Sequence, residues 1–395
     1  MPPKIHSKKY SPSKSSIWTK CPFSTLVNQG DDSFDSDAAI FGTECHELGQ
    51  RLVEQSLNIK NYDEEQIPVE ELKKKLTHYN DDMEVVANSY ANAVTNIYDY
   101  YKKKTSYEPL LFLETHIDMD FDETAGGTLD MGLYSEDDGG TIVIADLKTG
   151  RKPVYAKDLE TGNPNTQLGL YAIYFYESVI KGLYPVKNVR LIIYQPVINN
   201  TNEHTLSLTD LLKFKDEVII PAVEKTKVNI LEANAGSHCA YCAGRHVCTK
   251  YHESNLEIGV EISQPIEEFK DEDIEKILPK LDAFIKYAED LKAYAIDKAK
   301  NGRKWKGLKL VPSKVSRKIS DEEKVKKILE NCGINPVSPG KLLGITEIQK
   351  LIGKEKFKEL ISPYVVYQES ALILVPESDP RKEATINKEV VNNED

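Results

Sequence analysis

A short apolar run that ends in charged residues constrains this chain most. Residues 142–145 (Ile-Val-Ile-Ala) follow the turn-forming sequence Asp-Asp-Gly-Gly at 137–140 and lead into Asp146 and Lys148. The turn signal predicts a β-hairpin, and the apolar run predicts a buried strand over 141–148. Because alternate residues of a strand share a face, Asp146 and Lys148 should project from the same side. A carboxylate that ends a buried strand needs a cation or a hydrogen-bonding partner.

The predicted elements around this strand give an α/β fold. We predict helices at 44–57, with Thr43 as N-cap, and at 81–104 and 165–180. We predict strands at 109–119, 128–134, 141–148 and 189–194, with a turn at Gly126 and Gly127. The first three strands can pair as an antiparallel meander and the last can join them, which gives a mixed sheet.

The length of 395 residues predicts more than one domain. We place the first domain at 1–255 and a helical and mixed region at 256–376, an α+β extension. Within it, 265–302 should be a charged helical stretch broken at Pro279, and short strands are expected at 306–311 and 371–375. The tail, 377–395, lacks aromatic residues and is expected to be disordered.

Charge alone leaves the partner open. The net charge of −12 does not favour nucleic acid, yet binding depends on local patches. Residues 1–30 carry five lysines and no acidic residue, and further basic points lie at 102–104 and 303–306. No secretory signal follows the first lysines, and the longest apolar runs are far too short to cross a membrane. We therefore expect a cytoplasmic protein without membrane contact.

Asp130 and Gln167 complete a set of polar residues around the hairpin. Asp130 lies on the strand that precedes Asp146, close enough to share a cation with it. Gln167 and Tyr171 are one helical turn apart and share a face. Mg²⁺ is usually held by one or two carboxylates, with water and phosphate in the remaining positions. Taken singly, each of these residues is more often a solvated surface or turn residue.

Four of the six cysteines form a pattern. Cys239, Cys242 and Cys248 are closely spaced, and Cys21 lies far upstream. Four cysteine ligands suit either zinc or an iron–sulfur cluster, and His238, His246 and His252 are nearby substitutes. In a cytosolic chain, ligands are more common than disulfides. The remaining two, Cys45 and Cys332, are expected to be ordinary core thiols.

In their order along the chain, these residues resemble the RecB-like branch of the PD-(D/E)XK nucleases, which have a restriction-endonuclease-like fold. The segments that carry the resemblance are Gly-Thr-Leu-Asp at 127–130, Asp-Leu-Lys at 146–148 and Gln-Leu-Gly-Leu-Tyr at 167–171. The resemblance implies an α-β-β-β-α-β core with mixed sheet and N-terminal helices. The departures are Leu129, where the motif has proline, and aspartate rather than glutamate at 146.

The resemblance also implies roles for the site residues. Catalysis would rest on the residues Asp130, Asp146, Lys148, Gln167 and Tyr171. Mg²⁺ or Mn²⁺ would be held by His46, Asp130, Asp146 and the backbone carbonyl of Leu147. Glu114 is a candidate outer carboxylate. Lys148 would orient or deprotonate the attacking water, or neutralise charge on the phosphate.

The cysteine spacing resembles that of AddB-type helicase-nucleases and CRISPR-associated adaptation nucleases. This resemblance implies a 4Fe–4S cluster on Cys21, Cys239, Cys242 and Cys248, with zinc as the alternative. Most of the chain also resembles one largely uncharacterised family of phage and prophage proteins. The segments that carry this resemblance are 6–22, 42–46 and 374–381, together with the nuclease motifs and the cysteines.

Two functions follow as hypotheses. The first is a Mg²⁺- or Mn²⁺-dependent DNA nuclease, favoured as an exonuclease because no dedicated base-reading module is recognisable. A phage context implies end processing for DNA recombination in the bacterial host cytoplasm, with a single-strand annealing protein as partner and oligomers open. The alternative is a non-catalytic DNA-binding or structural protein that retains the nuclease fold.

Overall fold

The computed structural model describes residues 9–27, 37–59, 67–313, 315–335, 337–338, 341–369 and 372–384. Residues up to Phe284 form one compact unit and residues from Ile285 form another. The domain boundary that we predicted at 255 and the disorder of 377–395 stay predictions. Within that tail, 377–384 is described, and Glu377 N donates to Gly307 O at 3.0 Å.

Helices precede and follow a sheet in the first unit, and the last of them crosses into the second unit. The helices are α1 Ser15–Trp18, α2 Ser24–Val27, α3 Asp37–Leu57, α4 Val69–Lys75, α5 Asp81–Lys104, α6 Thr166–Phe175, α7 Leu208–Phe214, α8 Ile220–Lys225, α9 Thr249–Glu261 and α10 Asp271–Lys300. The predicted helix at 81–104 is confirmed. The Asn80 side chain caps it by accepting from Met83 N at 2.9 Å.

The sheet of the first unit has five strands among the described residues and is mixed, as predicted. The strands are β1 Leu110–Asp118, β2 Gly126–Ser135, β3 Thr141–Leu147, β4 Asn188–Gln195 and β5 Asn200–Ser207, in that spatial order. The β3–β4 pair is parallel and the other pairs are antiparallel. The helix α6 makes the crossover between the two parallel strands, which is the connection such a pair requires.

Apolar cores cover both faces of this sheet. Ile142 and Ile144 of β3 pack toward α6, whereas Val143, Ala145 and Leu147 pack toward α3 and α5. This alternation follows from the two-residue period of a strand. Asp146 therefore lies on the α6 face, at the end of a strand that is buried throughout.

Three predictions about local structure are wrong: the N-cap at Thr43, the turn at Gly126 and Gly127, and the break at Pro279. The helix α3 begins at Asp37, so Thr43 is an interior residue whose hydroxyl donates to Ala39 O. Gly126 and Gly127 belong to β2 rather than to a turn. A Cβ at Gly127 would lie 2.8 Å from Pro12 Cδ and 3.0 Å from the Tyr171 hydroxyl, so close packing requires the glycine.

The predicted break at Pro279 is also absent, because α10 continues through it. A proline in a helix removes one hydrogen bond and usually bends or ends the helix, but neighbouring packing can offset that cost. The strand β5 was not predicted. Its sequence, Asn-Thr-Asn-Glu-His-Thr-Leu-Ser, lacks the apolar alternation of a typical strand.

The second unit combines short strands and helices. Its elements are β6 Leu308–Pro312, β7 Val315–Ile319, α11 Glu322–Asn331, β8 Val337–Ser338, β9 Lys341–Leu342, α12 Ile345–Ile352, α13 Lys354–Leu360, β10 Val365–Glu369 and β11 Leu372–Pro376. The strands predicted at 306–311 and 371–375 are confirmed as β6 and β11, which pair antiparallel. Buried residues of α11, α12 and α13 form a small core.

No helix in the described ranges has the length and apolarity needed to cross a lipid bilayer. Cys45 is buried in the core beside α5, as predicted. Cys332 is exposed at the end of α11, so its prediction as a core thiol is wrong.

The hairpin turn before β3 gives a first testable prediction. Gly140 has φ +100°, and a Cβ there would lie 1.9 Å from Pro185 O. We expect Gly140→Ala to lower the free energy of unfolding by at least about 2 kcal/mol, from backbone strain and overpacking. The control is Gly150→Ala, since a Cβ there would meet no atom of the described residues within 4 Å apart from its chain neighbours. Urea denaturation measures both variants, and equal stability of the two would contradict the prediction.

Candidate metal centre

Carboxylates from neighbouring strands meet at one end of the sheet. Asp130 of β2 and Asp146 of β3 are 8% and 2% exposed. Glu114 of β1 is half-buried and lies opposite Asp130. Burying carboxylates together is unfavourable unless cations or hydrogen-bond donors compensate. The surroundings of these side chains therefore decide what the site can do.

The backbone is irregular where Glu114 and Asp130 face each other. Pairing of β1 with β2 is regular at Leu113↔Met131 and Thr115↔Leu129, but Glu114 and Asp130 between them are not paired. Glu114 has φ +41°, a strained conformation for a residue with a side chain.

In both β1 and β2, alternate side chains move from one face of the sheet to the other across the position of Glu114 and Asp130. Leu113 and Met131 pack toward α5, whereas Ile117 and Leu129, an even number of residues away, pack toward α6. Since residues two apart on a regular strand share a face, the irregularity must lie between them. The two carboxylates thus lie at the point where the side chains of β1 and β2 change from one face of the sheet to the other.

His46 reaches these carboxylates from α3. Its Nδ1 lies 3.3 Å from Asp130 Oδ2 and 3.5 Å from Glu114 Oε1. One ligand atom from each of the three residues lies within 4.8 Å of the other two, a spacing that could hold a metal ion. The structure therefore brings together His46, predicted as a metal ligand, with Glu114, predicted only as an outer carboxylate.

Lys148, Asp146 and Gln167 form a closed triangle on the α6 side. Lys148 Nζ lies 2.7 Å from Asp146 Oδ2 and donates to Gln167 Oε1 at 2.9 Å. Gln167 Nε2 in turn donates to Asp146 Oδ1 at 2.7 Å. Gln167 is placed by the start of α6, where the Asn165 side chain accepts from its backbone N–H. The amide therefore fixes both the lysine and the carboxylate.

The main chain of β3 links the two halves of the site. Leu147 N donates to Asp130 Oδ2 at 2.7 Å, so Asp130 contacts β3 directly. A role for the Leu147 carbonyl as a metal ligand stays a prediction.

Two buried tyrosines surround the carboxylates. Tyr171, one turn after Gln167 on α6, is 4% exposed. Burial and the charges of Asp130 and Asp146 raise its pKa well above the usual value. Tyr90 of α5 is 1% exposed, and its hydroxyl has no hydrogen-bond partner among the described residues. Sequence reasoning missed Tyr90 as a site residue, because its helical spacing is that of any core position.

The electrostatics of the site favour a bound cation. Burial and nearby carboxylates raise the pKa of Glu114 to about 6 and raise that of Asp146. Burial also raises the pKa of Asp130, but the neighbouring His46 lowers it, and the net shift is downward. For His46 itself burial lowers the pKa, but Asp130 and Glu114 outweigh it and raise the value well above normal.

Lys148 remains charged in this environment. Burial lowers its pKa, but Asp146 and Asp130 outweigh burial and the net shift is upward. Glu114 Oε1 and Asp146 Oδ2 are buried oxygens without a hydrogen bond among the described residues. Glu114 Oε1 has an ionic contact with His46 at 3.5 Å, and Asp146 Oδ2 has one with Lys148 at 2.7 Å. Oxygens left in this state suit coordination of a hard cation.

The cysteines of the predicted second metal site influence one another electrostatically but are not arranged as a ligand cluster. Burial, together with the charges of Cys21, Cys242 and Cys248, raises the pKa of Cys239 to about 11. Asn234 connects two of the thiols, because its N–H donates to Cys21 Sγ at 3.4 Å while Cys239 Sγ lies 3.8 Å from its carbonyl.

These thiols do not form a tight ligand group. No three ligand atoms of described cysteines lie within 4.8 Å of one another. Zn–S bonds of about 2.3 Å in a tetrahedron would place the sulfurs about 3.8 Å apart. The segments nevertheless pack closely, since a Cβ at Gly244 would lie 2.3 Å from a Val27 methyl carbon.

The raised pKa of His46 makes metal binding pH-dependent. An imidazole must lose its proton before it can coordinate a metal, so binding of Mn²⁺ should release a proton. We expect the affinity to rise by up to about tenfold per pH unit between about pH 6 and about pH 8, as measured by titration calorimetry.

Two variants sharpen this experiment. His46→Gln should remove most of the pH dependence, whereas His204→Gln should keep it, because His204 lies on β5 and is not part of the His46, Glu114 and Asp130 group. An affinity that is independent of pH in the wild-type protein would contradict the assignment of His46 as a ligand.

Comparisons with known proteins place the chain in a family. Residues 6–382 match the model of the family described as "Protein of unknown function (DUF2800)". A solved crystal structure, that of the protein SSO0001, is similar at 14% identity over 51% of this chain and 95% of that one. Its TM-score of 0.21 is too low to carry an inference. On the match over most of its length, the chain belongs to the DUF2800 family.

Proposed function

We propose that this protein is a Mg²⁺- or Mn²⁺-dependent DNA nuclease with a PD-(D/E)XK core. The observation that carries the proposal is the joining of Asp146, Lys148 and Gln167 in one triangle beside the His46, Glu114 and Asp130 group. A structural role would not require a buried lysine, an amide and carboxylates to converge at the end of a sheet. The order of β1 to β4, with α6 between the parallel strands, also fits that core.

The proposed reaction is hydrolysis of a phosphodiester. The chemistry that a divalent cation supplies at such a site is polarisation of the phosphoryl oxygen and a lowered pKa for the attacking water. His46, Glu114 and Asp130 would hold the cation, together with Asp146. The water oxygen bonds to phosphorus, the bond to the ester oxygen breaks, and the leaving oxygen takes up a proton.

Of the three roles that we predicted for Lys148, this environment favours two and disfavours deprotonation of the water. Because its pKa is raised, it is protonated near neutral pH and would serve as a cation that donates to the phosphate or orients the water. Gln167 would be a positioning residue that keeps the ammonium and the Asp146 carboxylate in place. Tyr171 would close the site from the α6 side.

The biological setting is also a proposal. We favour an exonuclease that processes DNA ends during phage recombination, in the bacterial host cytoplasm and together with a single-strand annealing protein. A non-catalytic DNA-binding or structural protein is the alternative, and DNA retention without metal-dependent cleavage would favour it.

Digestion of linear DNA tests the nuclease. With Mn²⁺ present, we expect Lys148→Met and Asp146→Asn each to lower the rate at least about 100-fold, since each removes a group that acts at the phosphate. The matched controls are Lys187→Met and Asp138→Asn, an exposed Lys–Asp pair at 2.9 Å beside the opposite end of β3. Thermal denaturation checks that the variants fold.

Digestion at the wild-type rate by folded Lys148→Met and Asp146→Asn variants would rule out this active site. Comparison of linear with covalently closed DNA separates the exonuclease from an endonuclease, because only an endonuclease cuts a substrate without ends.

We further propose that Cys21, Cys239, Cys242 and Cys248 hold a 4Fe–4S cluster. In such a cluster each cysteine binds a different iron, so the sulfurs stand further apart than around zinc. The order of one upstream cysteine and three closely spaced downstream cysteines along the chain supports this choice. The cluster would join the N-terminal segment to the segment after α8.

Anaerobic purification tests the cluster. We expect a brown protein that contains iron and sulfide, and we expect Cys239→Ser to lose both together with stability. The control is Cys332→Ser, because that exposed thiol lies outside the group. A colourless wild-type protein that contains zinc would contradict the proposal.

A further inference from the structure

An open cleft of about 770 Å³ includes Lys148 in its lining, whereas Glu114, Asp130 and Asp146 are not among the described residues that line it. One side is formed by the loop 149–165, which connects β3 to α6. The other side is formed by Ser16 and Lys20 near α1 and by Ser237 and Tyr241 of the cysteine segment. The proposed catalysis and metal binding do not explain this cleft. Of the residues proposed for those roles, Lys148 is the one found among the described residues that line it.

The lining of the cleft carries more positive than negative charge, whereas the whole protein has a negative net charge. Among the described residues that line it, the cationic ones are Lys20, Lys148, Arg151, Lys152 and Lys157, and the acidic ones are Asp158 and Glu160. The Asp158 carboxylate is engaged within its own loop, where it accepts from the backbone N–H groups of Glu160 and Thr161. In a chain with a net charge of −12, such a patch indicates an anionic partner.

Two exposed aromatic rings accompany these cations. Tyr155 is 43% exposed and Tyr241 is 59% exposed, and both line the cleft. Lys152 Nζ lies 5.0 Å from the centre of the Tyr241 ring, so the charge and the ring act at the same place. Flat rings between cations are the combination that binds single-stranded nucleic acid, since bases stack on the rings and phosphates contact the cations.

Side-chain amides hold the cleft loop in place. Gln195, fully buried at the end of β4, donates to Gly150 O at 2.7 Å and to Lys152 O at 2.8 Å. It also accepts from Val154 N at 3.1 Å. Asn202 of β5 donates to Val154 O and accepts from Ala156 N. A loop fixed in this way presents its cations and Tyr155 without the entropy cost of ordering them on binding.

We propose that this cleft binds an unpaired DNA strand and leads its end to Lys148. Lys20, Arg151, Lys152 and Lys157 contact the phosphates, and Tyr155 and Tyr241 stack on successive bases. A duplex already covers the faces of its bases, so exposed rings give it no advantage over a single strand. The proposal rests on the proposed nuclease function for the identity of the nucleic acid and adds its strand preference.

Binding of labelled oligothymidylate to the full-length protein tests the cleft. Fluorescence anisotropy is measured with Ca²⁺ in place of Mn²⁺, so that binding is observed separately from digestion. We expect the single strand to bind more tightly than a blunt duplex of the same length. The double variant Tyr155→Ala/Tyr241→Ala should bind the single strand at least about tenfold more weakly, whereas Tyr155→Phe/Tyr241→Phe should bind within about twofold of wild type.

Matched controls separate the cleft from the rest of the surface. Tyr107→Ala removes an exposed ring on another part of the protein and should change nothing. Arg151→Ala/Lys157→Ala should reduce the dependence of log affinity on log salt by about 1.4, whereas Lys187→Ala should leave it unchanged.

The outcomes distinguish this proposal from the proposed function. Tighter binding of the duplex, no binding of the single strand, or unchanged binding by the double alanine variant would each overturn the cleft, whether or not the protein cuts DNA. Tyrosine-dependent binding of the single strand would support the cleft even if Mn²⁺ produced no digestion, in which case only the nuclease would fail.

Discussion

The burial of Glu114, Asp130 and Asp146 at one end of the sheet is the constraint on which the rest of the first unit depends. Carboxylates in a low-dielectric interior repel one another and lose their hydration. The structure compensates with His46, with Lys148, and with the N–H of Leu147. Removal of one compensating group would leave a buried charge unpaired, which typically costs about 3–5 kcal/mol.

This compensation draws on both faces of the sheet. His46 comes from α3 on one side and Gln167 from α6 on the other. A regular sheet would separate the two sets of side chains, since alternate residues point to opposite faces. The irregular rung at Glu114 and Asp130 removes that separation, which explains why a strained φ of +41° is kept there.

How much of this arrangement the sequence predicts depends on how local each feature is. The helix at 81–104 and the hairpin before β3 are fixed by caps, turns and periodicity within a few residues, and both are confirmed. The shared face of Asp146 and Lys148 follows from strand geometry alone. Gln167 was assigned through its order in a motif, and the structure places it beside Asp146 and Lys148.

What the sequence could not predict depends on distant contacts. Gly127 looks like a turn residue until Pro12 and Tyr171 are seen against it. The strand β5 is polar and is recognisable only through its pairing with β4. Tyr90 has the spacing of a core residue, and only the fold places its hydroxyl near the carboxylates, without a hydrogen-bond partner among the described residues.

Net charge is a poor guide to partners because it, too, does not show which residues the fold brings together. The carboxylates of the proposed metal centre add to the negative total, yet a bound divalent cation would neutralise part of their charge. The cations that line the cleft act within about a Debye length, roughly 8–10 Å, and acidic residues further away are largely screened. A strand in the cleft would therefore meet a local field of opposite sign to the whole protein. Salt therefore weakens binding in proportion to the number of phosphate contacts in the cleft and not in proportion to the total charge.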